Sequence, residues 1–396
     1  NRGGGPCRET QVDAFRAYLD KRCPKRPLKE GELLDGMSQR PYIPLSVDWR
    51  YGLSPEEIRA FGEKHGAGKG SRKKRNPLLS QAGVFGCLQT SRNCSLAAFE
   101  GWEALEALKR MDPARPFSLT CSFGPPHPPY VAPDPYFSMY EPQRIKTPVS
   151  IHADESNSPH PPRKAVGPMG TNGRDPHKVR EARAVYYAMI TQVDEWVGKL
   201  LDTLEEKGVR DNTLVVFTSD HGDMMGDHGR FGKGNMFEGS VHIPLIMSLP
   251  GVIPAGRRIK TPVSHIDIAP TILDYLAMPT PKTDGRSLRP LINGERDDLD
   301  FAVSFWGNTR IGGPFMICDG EWKLIVYAPE KKSDKVPVNA LYNLKNDPHE
   351  MNNLIGNNPK RKHYLPEAMR LKKRLETWMA RRHDPYLRHL QATSLG

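Results

Sequence analysis

The chain has 396 residues, 37% of them apolar and 26% charged, enough to bury the core of one large domain with a smaller companion. Its 57 Lys and Arg outweigh 46 Asp and Glu by +11, which favours anionic partners: sulfated or phosphorylated small molecules, acidic polysaccharides or nucleic acid. No apolar run reaches the length of a transmembrane helix, and no nucleic-acid motif is present, so a small anion is the expected partner and nucleic acid is not. The chain opens on Asn1 rather than Met, so nothing follows about a leader.

Residues 1 to about 80 are rich in Gly, Pro, Lys and Arg, with short helices expected at 10–21 and 54–65, the second opened by Ser54-Pro55-Glu56-Glu57. The basic run 69–75 (KGSRKKR) reads as a solvated loop. None of the six cysteines has zinc-type spacing; Cys87 and Cys94 are close enough for a local disulfide in an exported protein. Leu96, Phe99, Trp102, Leu105 and Leu108 fall at helical spacing within 96–110. A strand is expected over 116–123, running into Gly124-Pro125-Pro126-His127-Pro128-Pro129-Tyr130. Prolines on both sides should hold that segment extended, with His127 projecting from a strand end. Residues 140–176 are polar and Pro-rich, a long loop. Asp175-Pro176 opens the longest helix, which carries one apolar stripe to about residue 207 and stops at Gly208. Asp194 lies near that stripe and is expected to make a structural hydrogen bond.

The densest chemistry lies in 213–238, TLVVFTSDHGDMMGDHGRFGKGNMFE. Leu214-Val215-Val216-Phe217 reads as a buried strand ending at Asp220 and His221, a hard oxygen beside an imidazole nitrogen. Loops at the carboxyl ends of strands line the crevice of an α/β sheet. Gly222 is expected to turn the backbone sharply, so that these neighbours converge on one ion. Asp223, Asp227 and His228 follow, the two aspartates expected outside the metal's coordination. Lys233 then sits between two glycines, where an anion can approach closely.

A strand is expected at 243–248, then a helix at 268–276 with Asp267 as its N-cap. The first domain should span 1–295. From 296 to 396 the texture is of short strands, at 301–305, 314–318 and 322–327, with Asp319-Gly320 as a hairpin turn and a closing helix at 366–382.

TSDHGDMMGDHGRFGKGNMFEGSVHIPLI resembles the metal-and-sulfate segment of the sulfatase family, within the alkaline-phosphatase-like superfamily. The Pro-His-x-Pro-Tyr element at 126–130, Asp267-Ile268-x-Pro270-Thr271, and Leu341-Tyr342-Asn343-Leu344 with Asp347-Pro348-His349-Glu350 resemble further elements of it. The resemblance covers roughly 80–385. It implies an α/β fold, helices around a mixed sheet that is incomplete at the N-terminus, with a small C-terminal α+β subdomain. It also implies that Asp220 and His221 bind one divalent metal ion, that Lys233 contacts the sulfate, and that His127 contacts the sulfate or the leaving oxygen. Oxygen ligands favour Ca²⁺ or Mg²⁺, and one imidazole admits Mn²⁺; the resemblance puts Ca²⁺ first.

Sulfatases use a formylglycine made from Cys or Ser in a Cys/Ser-x-Pro-x-Arg motif, and no residue here fits it; Cys23-Pro24-Lys25-Arg26 has the wrong spacing. The family's paired Asp and its Gly-Lys-x-His element are likewise not found. The expectation is therefore a sulfuric ester hydrolase whose nucleophile and remaining carboxylates lie upstream of residue 1, the piece itself being inactive. A phosphonate monoester or phosphodiester hydrolase and a non-catalytic anion-binding protein are the alternatives. The implied partner is a small sulfate ester, among them arylsulfates, choline sulfate and sulfated sugars. The resemblance is compatible with periplasmic, extracellular or lysosomal-type export.

Overall fold

The computed structural model describes residues 14, 17, 18, 21, 22, 42, 43, 85–88, 91–160, 173–295, 300–306, 313–329 and 337–395. The chain forms two compact units, Asn1–Thr147 with Ala165–Arg210, and Pro148–Lys164 with Asp211–Gly396.

In the first unit, β1 (Tyr42–Ile43), β2 (Phe85–Leu88) and β3 (Tyr130–Pro133) form a parallel sheet in that order. Between β2 and β3 runs α1 (Leu96–Arg110), capped by Ser95, whose hydroxyl accepts the Ala98 N–H at 3.2 Å. The long helix α2 (Pro176–Glu206) starts as expected, with the Asp175 carboxylate accepting the N–H groups of His177 and Lys178. It stops at Gly208, after which the Val209 N–H bonds back to the Leu204 carbonyl at 3.0 Å. Its buried stripe includes Val179, Ala182, Val185, Met189, Val193 and Trp196. Gln192 on the same helix donates to the Arg92 carbonyl (3.1 Å) and the Ser95 hydroxyl (2.7 Å), tying α2 to the start of α1.

Several expectations fail here. Residues 116–123 are a mostly exposed, irregular segment without strand pairing among the described residues, with Phe117 and Leu119 exposed. Residues 124–129 form a turn, because the His127 N–H folds back onto the Gly124 carbonyl at 3.0 Å; the strand begins after it, at Tyr130. Asp194 is exposed, on the face of α2 opposite the stripe. Cys94 is in a disulfide while Cys87, Cys121 and Cys318 are free thiols, so the Cys87–Cys94 bridge does not form. The 54–65 helix and the 69–75 run lie outside the described residues. Of the 10–21 helix, Ala14, Ala17, Tyr18 and Lys21 are described and helical.

In the second unit, β4 (Val215–Thr218), the single turn α3 (Glu238–Val241) and β5 (Leu245–Ser248) come first. β4 and β5 pair antiparallel, Val215 opposite Ser248 and Thr218 opposite Leu245. The buried strand expected at 214–217 is only half covered: Phe217 and, on its partner, Ile246 are exposed. Then follow α4 (Ile268–Tyr275), α5 (Arg289–Asn293) and the antiparallel sheet β6 (Ala302–Phe305), β7 (Phe315–Cys318), β8 (Trp322–Val326) and β9 (Ala340–Asn343). α6 (Arg361–Arg381) and α7 (Leu387–Ala392) close the chain. Asp267 stands at the N-cap position of α4, but its side chain makes no capping hydrogen bond there. Ser264 caps the preceding turn, and Asp267 is buried, accepting the N–H groups of Ser264 and Arg286. α6 starts five residues before Pro366 and carries that proline inside its second turn.

Both faces of the sheet are buried across β7–β9, which is why these strands are apolar nearly throughout. Side chains alternate between the faces. Phe315, Ile317, Leu324, Val326 and Leu341 meet Ala368, Leu371, Leu375 and Met379 of α6. Met316, Cys318, Ile325 and Tyr342 meet Met224, Met236 and Phe237. Each fully buried large apolar side chain contributes about 1.5–3 kcal/mol. The second face thus anchors both ends of the 224–237 segment to a rigid sheet.

Candidate functional site

β4 delivers the chain to Asp220, and four hydrogen bonds fix the turn. Thr218 Oγ1 donates to the Pro244 carbonyl (2.9 Å), and Ser219 Oγ donates to the His221 carbonyl (2.9 Å). His265 Nε2 lies 2.6 Å from the Ser219 carbonyl, and the Gly222 N–H donates to the Ser240 carbonyl (2.8 Å). Gly222 is needed for close approach rather than for the turn: its backbone is not left-handed, but a Cβ there would stand 2.3 Å from the Gly239 carbonyl oxygen.

The Asp220 carboxylate accepts the His221 N–H through Oδ1 (2.9 Å), and its Oδ2 lies 3.5 Å from His221 Nε2. His221 Nδ1 is 2.9 Å from the Gly222 carbonyl. A carbonyl only accepts, so Nδ1 carries a proton and Nε2 is the nitrogen turned toward the Asp220 carboxylate. A hard oxygen and an imidazole nitrogen therefore stand 3.5 Å apart, and the Asp220 side chain is 84% exposed. This pair fits a divalent cation as part of a ligand set. It is not a complete set: among the described residues no three His, Cys, Asp or Glu cluster closely enough to hold a metal.

The segment after the pair is a closed loop. Asp223 Oδ1 accepts the N–H groups of Met225 (3.1 Å) and Gly232 (2.8 Å), and the Met224 N–H donates to the Gly232 carbonyl (2.9 Å). Asp227 accepts the Ser150 hydroxyl (2.9 Å), which in turn accepts the His228 N–H (3.1 Å). Arg230 is held by Glu155 (2.5 Å) and the His160 carbonyl (2.7 Å). At the far end, Gly232 and Gly234 are both left-handed (φ 75° and 89°), placing half-buried Lys233 on a tight double turn that side-chain-bearing residues rarely adopt. His127, in the first unit, is half-buried, with Nδ1 2.9 Å from the Pro128 carbonyl. Asp220 and His221 are thus brought together, with Lys233 on the loop that follows in the same unit.

His228 is buried, with its ring stacked on Phe237 at 3.9 Å and 7° and Nε2 3.0 Å from the His349 carbonyl. Burial pulls its pKa down from 6.5 to about 4, against the pull of the His349 carbonyl. Below pH 6.5 the unfolded chain takes up a proton that the folded chain refuses until about pH 4. Stability should therefore fall as pH drops through that window, by up to about 3 kcal/mol at about 1.4 kcal/mol per pH unit. Urea unfolding of the native protein and His228→Phe between pH 7 and 4.5 checks this: the variant should lose stability less steeply, and parallel curves would remove His228 from the balance.

Sequence patterning missed the charged support beneath this loop. Lys323 stands on the loop-facing side of β8, fully buried, with Nζ 2.7 Å from Glu238 Oε1 and 2.8 Å from Glu350 Oε1. The signal was present: a single Lys inside the apolar strand Trp322-Lys323-Leu324-Ile325-Val326 needs a buried partner. Burial disfavours a charged Lys323, but the two carboxylates outweigh it and hold its pKa up. Burial likewise opposes ionised Glu238, yet the His242 hydrogen bond and the Lys323 charge bring it down to about 2.

With this geometry in view, comparison identifies the class. Residues 96–278 match the Sulfatase family model, and residues 226–381 match N-sulphoglucosamine sulphohydrolase, C-terminal. Residues 96–381 therefore carry sulfatase-family sequence, and the chain has the α/β fold of the alkaline-phosphatase-like hydrolases. Among its relatives, the choline-sulfatase of Rhizobium meliloti (strain 1021) is 36% identical over 250 residues, 61% of this chain and 47% of that protein. The arylsulfatase of Clostridium perfringens (strain 13 / Type A) is 33% identical over 265 residues, 64% and 52% respectively. The crystal structure of the phosphonate monoester hydrolase of Agrobacterium radiobacter superposes with a TM-score of 0.63 at 26% identity, over 85% of this chain and 68% of that one. The chain spans about half the length of the two sequence relatives.

Proposed function

We propose that the whole protein is a metal-dependent sulfuric ester hydrolase acting on a small sulfate monoester. The observation that carries this reading is the Asp220–His221 pair, an exposed carboxylate 3.5 Å from an imidazole Nε2, on the chain that leads into the Lys233 turn. Asp220 and His221 would hold a divalent cation, Ca²⁺ first with Mg²⁺ or Mn²⁺ as alternatives, together with further carboxylates. Such an ion, when bound, draws charge from the sulfate oxygens. Lys233 binds and orients the sulfate through its charge. His127, by resemblance, protonates the leaving oxygen; with Nδ1 protonated toward Pro128, Nε2 is the nitrogen that gives up the proton. The nucleophile of this reading is a formylglycine, for which no motif exists in these 396 residues. Export is part of the proposal, supported by the Cys94 disulfide, since such bonds persist in oxidising compartments.

Likeness to the Agrobacterium radiobacter structure favours a second reading, a phosphonate monoester hydrolase. Assaying the whole protein against aryl sulfate, choline sulfate, sulfated sugars and an aryl phosphonate monoester separates the two. The proposal expects the highest kcat/KM on a sulfate ester. A preference for the phosphonate supports the second reading, and no turnover of any would leave an anion-binding role.

A further inference from the structure

Lys233 is gripped from both sides by one short turn. Five residues before it, His228 Nε2 lies 3.0 Å from the carbonyl of His349. The stacked Phe237 ring makes His228 part of the same packed unit. Five residues after it, the Glu238 N–H donates to the Glu350 carboxylate at 2.7 Å. Consecutive residues of the turn after β9 thus hold the two ends of the segment that displays Lys233.

That turn is itself under constraint. Glu350 is 3% exposed and left-handed (φ 54°), a conformation that non-glycine residues adopt only when their surroundings compel it. Its other carboxylate oxygen takes the buried Lys323 ammonium, which also binds Glu238. Asp347 closes the turn, accepting the N–H groups of Met351 (3.0 Å) and Asn352 (2.8 Å). His228 is left-handed too (φ 51°). Two strained residues, one on each side of the contact, are unusual for a surface loop that merely packs.

We propose that Glu350, backed by Lys323, is a positioning residue for Lys233: the turn 347–350 clamps the 228–238 segment and so fixes where the Lys233 ammonium stands. The inference rests on the sulfate-binding role assigned to Lys233. Glu350 and Lys323 touch neither substrate nor metal in this account; they act through backbone placement, where a small error costs much rate.

Two measurements test it. Amide hydrogen exchange on the chain should show residues 229–237 exchanging at least tenfold faster in Glu350→Gln, with the β6–β9 sheet unchanged. In the whole protein, Glu350→Gln should lower kcat for a sulfate ester at least tenfold while KM moves less. In a Lys233→Ala background the same change should have no further effect, because the group being positioned is gone. Unchanged exchange at 229–237 overturns the clamp whatever the kinetics. Faster exchange with fully additive kinetic losses also overturns it, reducing Glu350 to a structural role. If Lys233→Ala alone leaves turnover intact, the sulfate role of Lys233 fails and takes the proposal with it; the exchange result then records that the failure lies in the reading of the site.

Discussion

Lys323→Ala should lower the unfolding free energy by about 3–5 kcal/mol, the range for breaking a buried ion pair by removing one partner. The substitution leaves Glu350, 3% exposed, without its cation, and Glu238 with His242 alone. It also opens a void on the loop-facing side of β8, beside Ile325. Lys323→Met with Glu350→Gln removes the two most buried charges, leaves Glu238 paired with His242 and roughly keeps the volume, so it should recover most of that loss, as neutral replacements of buried ion pairs often do. Chemical denaturation of wild type and the two variants decides the matter. A loss below about 1 kcal/mol in Lys323→Ala would mean that water reaches the cluster and the charges are not truly buried.

Lys233→Ala should reduce sulfate-ester turnover by the whole protein about 10²–10³-fold, the cost of removing one preorganised group that meets developing charge. The unfolding midpoint should scarcely move, because the side chain is half-buried on a turn whose shape comes from Gly232, Gly234 and the Asp223 hydrogen bonds. Lys233→Arg should recover little, since a planar fork does not replace a compact ammonium. Equal turnover in wild type and Lys233→Ala would remove this residue from the site.

How much of this was legible in the sequence depends on whether the signal was local. Asp175-Pro176 and Gly208 bounded α2 because caps act within one turn of the chain. The hairpin at Asp319-Gly320 and the β7 and β8 strands followed from two short apolar runs on either side of a turn signal. The Asp220–His221 pairing and the glycines around Lys233 were likewise local. Residues 116–123 misled because apolar alternation marks what a segment could pair with, not whether a partner is there. The same limit made β4 look buried, although its sheet has two strands and leaves Phe217 exposed. Gly222 was singled out correctly for the wrong reason: its need is set by the Gly239 carbonyl, seventeen residues away in sequence. Glu350 and Lys323 reach Glu238 across 112 and 85 residues, and no periodicity records contacts of that range.

The central claim is that Asp220 and His221 bind the metal on which sulfate-ester hydrolysis depends. Divalent-metal content of the purified whole protein, measured by mass spectrometry alongside sulfate-ester turnover for wild type, Asp220→Ala and Asp223→Ala, tests it most directly. The account predicts that Asp220→Ala loses metal and turnover together, whereas Asp223→Ala keeps its metal, because its carboxylate is spent on the Met225 and Gly232 amides. Full metal content in Asp220→Ala would contradict the account.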